Sequence, residues 1–236
     1  MPTLSEACAA LAEATGVPRG TIEHVGRRLG EAALLPRGPR GVNAPQLDAH
    51  HLAMLAIGLL HIGDGFAGTI ARVPVEVAKV AALARAEHGA GFELSRHVLI
   101  EGDFLTSVAQ ILAGMSDPDP EARRDWRAAV DGVGLVFGGG HAAGFIVLSA
   151  KATGTDTGIG FTYSASPGEG TKVWHAPFRR QIRLDGSALV ALGGLLMAGD
   201  GEEEDGGDRT TARATPPPPA RTEQQQQEHT ACQRQN

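Results

Sequence analysis

The spacing of apolar residues changes partway along the chain, and this limits the folds open to it more than any other feature. Up to residue 130, apolar side chains recur mostly at helical spacing. From residue 131 they fall into short, glycine-bounded runs rich in β-branched and aromatic residues: GVGLVF, GFIVLSA, GIGFTYSAS and KVWHAPFRRQIRL. Spacings of three and four read as helix, and short runs between turn signals read as strand. The expectation is an α+β protein, helical first and then built on an antiparallel sheet.

The helical part is punctuated clearly. In TLSEACAALAEATG, Thr3 stands three residues before Glu6, the spacing of a capping box. Leu4, Cys8, Leu11 and Ala12 share one face, and Gly16 ends the helix. VPRGTIEHVGRRLGEA starts a second helix, with Pro18 suited to its first turn and Ile22, Val25 and Leu29 as its inward stripe. QLDAHHLAMLAIGLLHIG predicts a third, with Leu52, Leu55, Ala56, Leu59 and Ile62 on one face. Weaker patterns at 74–89 and 103–115 read as helices, and 116–126 as a turn leading into a short polar helix. GSALVALGGLLMAG reads as a final helix or an apolar strand, since its central glycines lower helix propensity.

Three regions follow: residues 1–62, residues 63–198 as a small α+β domain for oligomerisation or for a ligand or partner, and a tail. The tail, 199–236, holds an acidic cluster, four prolines and four glutamines in a row, so disorder is expected there. Of the net charge of −6, the tail's four basic and eight acidic side chains supply −4, leaving −2 for residues 1–198. A nearly neutral body still suits nucleic acid if its arginines gather on one face. Aromatics are 4% of the chain, so the core must be aliphatic. Cys8 and Cys232 make neither an evident disulfide nor a four-cysteine metal site. No signal-peptide pattern opens the chain, and the apolar run around Leu52–Leu60 is too short to span a bilayer. A cytoplasmic protein without membrane contact is expected.

The stretch TGVPRGTIEHVGRRLGEAALLPRGPRGV carries the strongest functional signal. Two helices joined by a tight turn have the layout of a helix-turn-helix, in which residues of the second helix meet base edges or phosphates. Thr21-Ile22, Leu29, the Leu34-Leu35 pair and the basic Arg37-Gly38-Pro39-Arg40-Gly41 follow in order. This order resembles the winged helix-turn-helix domain of bacterial and phage regulators, over about a quarter of the chain. The resemblance implies a strand starting at Leu34-Leu35, a basic wing tipped by Arg37 and Arg40 with Asn43 on its return, and dimerisation through a helix such as 48–62. Arg19, His24, Arg27 and Arg28 lie mostly off the apolar stripe of the second helix and can face outward. With Thr21, Arg37, Arg40 and Asn43 they form the expected double-stranded DNA contact, since arginine forks onto phosphate or guanine.

Other motifs read more plainly. FGGGHAAG (137–144) lacks the Lys-Ser/Thr of a phosphate loop and suits a hairpin turn, and His141 within it has no recognisable catalytic partner. Asp117, Asp119 and Glu121 suit a solvated turn better than a cation loop, and the adjacent His50 and His51 are poor joint metal ligands. WHAPFRRQIRL (174–184), with Trp174, Phe178, Arg179, Arg180 and Arg183, reads as an amphipathic edge strand rather than a nucleic-acid surface. No catalytic constellation, cofactor site or metal site is expected. The leading expectation is a sequence-specific DNA-binding protein, a bacterial or prophage transcriptional regulator acting as a dimer. A phage DNA-packaging component resembling a small terminase subunit and a protein-interaction module without DNA are the alternatives.

Overall fold

In the computed structural model, residues 1–38, 43–62, 67–85, 94–138, 141–149, 159–165 and 179–198 are described. The first helix, α1 (Leu4–Thr15), begins at the capping box read from the sequence: Thr3 Oγ1 accepts from Glu6 N–H, and Glu6 accepts from Thr3 N–H. It ends at Gly16, whose φ of 70° is the left-handed conformation that only glycine adopts without cost. Helix α2 (Arg19–Glu31) buries Ile22, Val25 and Leu29, the expected stripe.

The end of α2 explains why the expected wing strand does not begin at Leu34. Ala33 takes a φ of 58°, and the chain closes the helix with two bonds, Ala33 N–H to Gly30 O (3.0 Å) and Leu34 N–H to Leu29 O (2.9 Å). This is a Schellman cap, built on alanine instead of glycine. Its backbone donors are spent on the helix, so Leu34 and Leu35 form a bend, and Leu35 drops into the core. Of the expected wing, residues 39–42 lie outside the described residues. The returning chain makes one isolated bridge, Gln46 to Thr3.

Helix α3 (Ala49–Ile62) starts where Asp48 Oδ1 accepts from His51 N–H at 2.9 Å. Nine of its 14 residues are buried, from Leu52 to Ile62. The apolar face offered for dimerisation is thus occupied within one copy, because α2, α4 and α5 all pack on it. A short 3₁₀ turn (Ala67–Arg72) leads to α4 (Val73–Ala81), then the two-residue strand β1 (Ala84–Arg85). Helix α5 (Phe104–Met115) is capped by Asp103 and α6 (Pro120–Ala129) by Asp119. The two helices touch where Trp126 lies over Gly114, so closely that a Cβ there would come within 2.3 Å of the indole.

The strands follow: β2 (Val130–Gly138), β3 (His141–Leu148), β4 (Ile159–Ser164) and β5 (Arg179–Asp185), with α7 (Gly186–Ala198) closing the described chain. The ambiguous last segment is therefore a helix. The sheet is antiparallel in the order β1-β4-β3-β2-β5. β2 and β3 pair up to Gly138↔His141, as the hairpin reading of FGGGHAAG requires. Strand alternation sends Val133, Leu135, Ile146 and Leu148 into the main core with the helices. Val136, Ala143, Phe145 and Val147 form a smaller cluster on the other face. Phe104 packs against Tyr163 with ring centroids 5.2 Å apart, and Arg85 stacks 3.8 Å over the Phe161 ring. α7 packs on both α1 and α5, so one core joins the helical part to the sheet within the compact unit Met1–Glu202.

Candidate nucleic-acid interface

α1, the three-residue turn and α2 make the helix pair read from the sequence, and α2 carries its basic residues in two separate groups. At its N-terminal end, Arg19 is tied down. Its Nε donates to Glu23 Oε1 at 2.7 Å and its Nη2 to Ser5 Oγ at 2.8 Å. Thr21, in the first turn of the helix, is half-buried and lines a cleft against β5. Neither is placed with the other candidate contacts. His24 is half-buried between the two groups.

At the C-terminal end the arrangement differs. Arg28 Nη1 donates to Glu31 Oε2 at 2.8 Å. Arg27 is exposed, with no hydrogen bond or ion pair among the described residues. Arg37, on the loop beyond the helix cap, is exposed and folds back over α2: its Cγ and Nε lie 3.6 and 3.8 Å from where a Cβ on Gly30 would sit. The hydrogen bond from Arg28 holds the Glu31 carboxyl below its ordinary pKa, and the charges of Arg28, Arg27 and Arg37 push the same way. One carboxylate on open surface therefore pairs with Arg28 and feels the charges of Arg27 and Arg37.

The Glu31–Arg28 pair does not lock this patch. Both side chains are about two-fifths exposed, and exposed pairs of this kind are worth roughly 0–1 kcal/mol. A phosphate, with more acceptor oxygens, competes readily for the same guanidinium. Residue 40 lies outside the described residues, and Asn43 is exposed in a turn. Glu31 is the member of the patch that the sequence reading missed. Its signal was available in the spacing, since Arg28–Glu31 and Arg19–Glu23 stand three and four residues apart, where helical side chains meet.

The remaining motifs resolve into local structure. Asp117 Oδ1 accepts from Asp119 N–H and Asp119 Oδ1 from Glu121 N–H, each at 2.9 Å, so these acids build a turn and a helix cap. His51 Nδ1 sits 2.8 Å from Asp48, whereas His50 is exposed, so the two histidines do not converge. Among the described residues no group of three His, Cys, Asp or Glu side chains is placed to hold a metal ion. His141 ends the hairpin opposite Gly138. Trp174 and Phe178 lie outside the described residues, while Arg183 is on β5 and donates to Asp131 O at 2.7 Å. No helix among the described residues is long and apolar enough to cross a membrane. No protein-family model, curated protein or solved structure matches this chain.

Proposed function

We propose that the protein binds double-stranded DNA through the C-terminal half of α2 and the loop that follows it. The observation that carries this reading is that Arg37 folds back against Gly30, on the exposed helix end that also holds Arg27 and the Arg28–Glu31 pair. Arg37, just beyond the helix cap, then stands where a wing would begin. Because Arg19 is engaged and Thr21 is half-buried beside a cleft, the contact is mainly to phosphates, and base reading falls to Arg27 and His24. On this reading the chain is a regulator of the type its helix pair resembles.

The test is fluorescence anisotropy with a labelled duplex across a salt series. Binding at low salt is expected, with a slope that falls by roughly two in Arg27→Ala/Arg37→Ala, about 0.9 per phosphate contact. Identical binding and slope in the double variant would sink the proposal. One observation favours a second reading, a protein-interaction module: the ion pairs Arg19–Glu23 and Arg28–Glu31 already balance part of the basic surface of α2. Absence of duplex binding even at low salt would decide for it.

A further inference from the structure

Among the described strands, β5 ends the sheet on one side. The carbonyl oxygens of Ile182 and Leu184 turn toward β2, each 2.5 Å from where a Cβ on Gly134 or Gly132 would stand. In an antiparallel ladder the N–H and C=O of one residue point the same way and neighbours alternate. The backbone groups of Gln181 and Arg183 therefore point away from the sheet. Among the described residues they have no backbone partner. A cleft of about 470 Å³ runs along this edge. Its far wall is the turn between α1 and α2, with Ala14, Thr15, Val17 and Thr21, and its floor includes Leu59 and Leu60.

We propose that this cleft takes an extended segment of a partner protein, which adds to β5 as an antiparallel sixth strand. Unpaired strand groups beside a groove are the ingredients of recognition by strand addition, where backbone bonds supply affinity and alternate side chains supply specificity. The volume lies within the range of ordinary binding clefts. Charge selects the sequence. Residues opposite each other on neighbouring strands share a face. Ile182 and Leu184 turn toward the helices and the core, so the residues facing them are aliphatic. Arg183 and Asp185 are exposed on the other face. Arg183 uses Nη2 on the Asp131 carbonyl and keeps Nε and Nη1; Asp185 accepts from Ser187 Oγ and Ala188 N–H. The segment, read from its N-terminus, is then basic, aliphatic, acidic, aliphatic. The same two charges repel strands of the wrong pattern, the usual defence of an open edge.

The probe is a fluorescein-labelled peptide, Lys-Val-Glu-Val-Thr flanked by serines, titrated against the full chain, with a Glu-Val-Lys-Val-Thr peptide as control. The first is expected to bind at least about tenfold more tightly and to slow amide exchange at Gln181 and Arg183. Arg183→Pro removes the outward N–H and no backbone bond to β2, giving up only the exposed side-chain bond to the Asp131 carbonyl, so binding should vanish while the melting curve is nearly retained. Arg183→Glu, which keeps the backbone intact, should reverse the preference between a central glutamate and a central lysine. Equal binding of both peptides, unchanged binding by Arg183→Glu, or no binding overturns the proposal. So does protection of the β5 amides without peptide in a chain that light scattering shows to be dimeric, which would make a second copy the occupant.

Discussion

Tyr163, on β4, donates its phenol hydrogen to Ser107 Oγ on α5 at 2.9 Å, across the seam between sheet and helices. Both residues are fully buried, and Ser107 passes its own hydrogen to the carbonyl of Glu101 at 3.2 Å. Burial pushes the Tyr163 phenol above its ordinary pKa, and the bond to Ser107 offsets part of that. The pair places one polar relay within an aliphatic core, and its members are not equivalent. Ser107→Ala strands a buried hydroxyl donor and should cost about 1–3 kcal/mol, whereas Tyr163→Phe leaves Ser107 its bond to Glu101 and should cost about 0.5–1.5 kcal/mol. The double variant should be less destabilised than the sum of the two. Urea denaturation of all four proteins measures that coupling, and additive losses would show that the bond is energetically idle.

Three small substitutions should separate by sign. Gly114→Ala drives a methyl into the Trp126 ring and should destabilise by several kcal/mol or prevent folding. Gly194→Ala, on α7 with nothing within 4 Å of the new Cβ, should stabilise by about 0.5–1 kcal/mol through helix propensity. Ala33→Gly relieves the left-handed residue of the α2 cap and should stabilise by up to about 1 kcal/mol. Thermal melts rank them, and a neutral Gly114→Ala would contradict the packing of α6 on α5.

Acid should loosen the first helix. Hydrogen bonds from the Thr3 backbone N–H and then its hydroxyl hold the Glu6 carboxyl below 4.5, its ordinary value. A lowered folded-state pKa means that the contribution is complete above the unfolded value and fades as pH falls through the folded one. The capping-box contribution is therefore full at neutral pH and disappears only in acid. Glu6→Gln should flatten that part of the stability–pH profile, and carboxyl-detected NMR titration of Glu6 reads the shift directly. A Glu6 carboxyl titrating at or above its ordinary value would remove the box from the account.

Cys8 should be inert. It is fully buried on α1, and burial, with Glu23 adding to it, pushes its thiol up to about 12. Almost none is thiolate at neutral pH, and the thiolate is the reactive form. Peptide mapping after iodoacetamide treatment should find Cys8 unmodified in the native protein and modified in urea. Rapid native labelling would mean that α1 detaches from the core.

Much of this architecture was legible because the signals were local. Thr3, Glu6 and Gly16 bounded α1, the apolar spacing of Phe104 to Met115 marked α5, and the glycines between β2 and β3 marked their hairpin. The rest depends on residues far apart in the chain. Nothing near Leu35 announces that it is needed in the core, nor does the α3 stripe say whether its cover comes from another copy or from α4 and α5. The place of β5 beside β2 is equally non-local, and it puts Thr21 on the wall of a cleft. Arg27, Arg28 and Arg37 were readable as basic residues, but the return of Arg37 against Gly30 needed the Schellman turn that brings the loop back over α2.

The packing of α7 on α1 has a consequence for how the chain is made. Helix α1 is covered by the last described helix, and β5, which joins β2, is made only just before that helix. The side of α1 that α7 covers therefore waits for about 170 residues of synthesis, on the order of 10–30 s, with only α2 packed beside it. Closure of the core is then a late event that follows translation of the sheet.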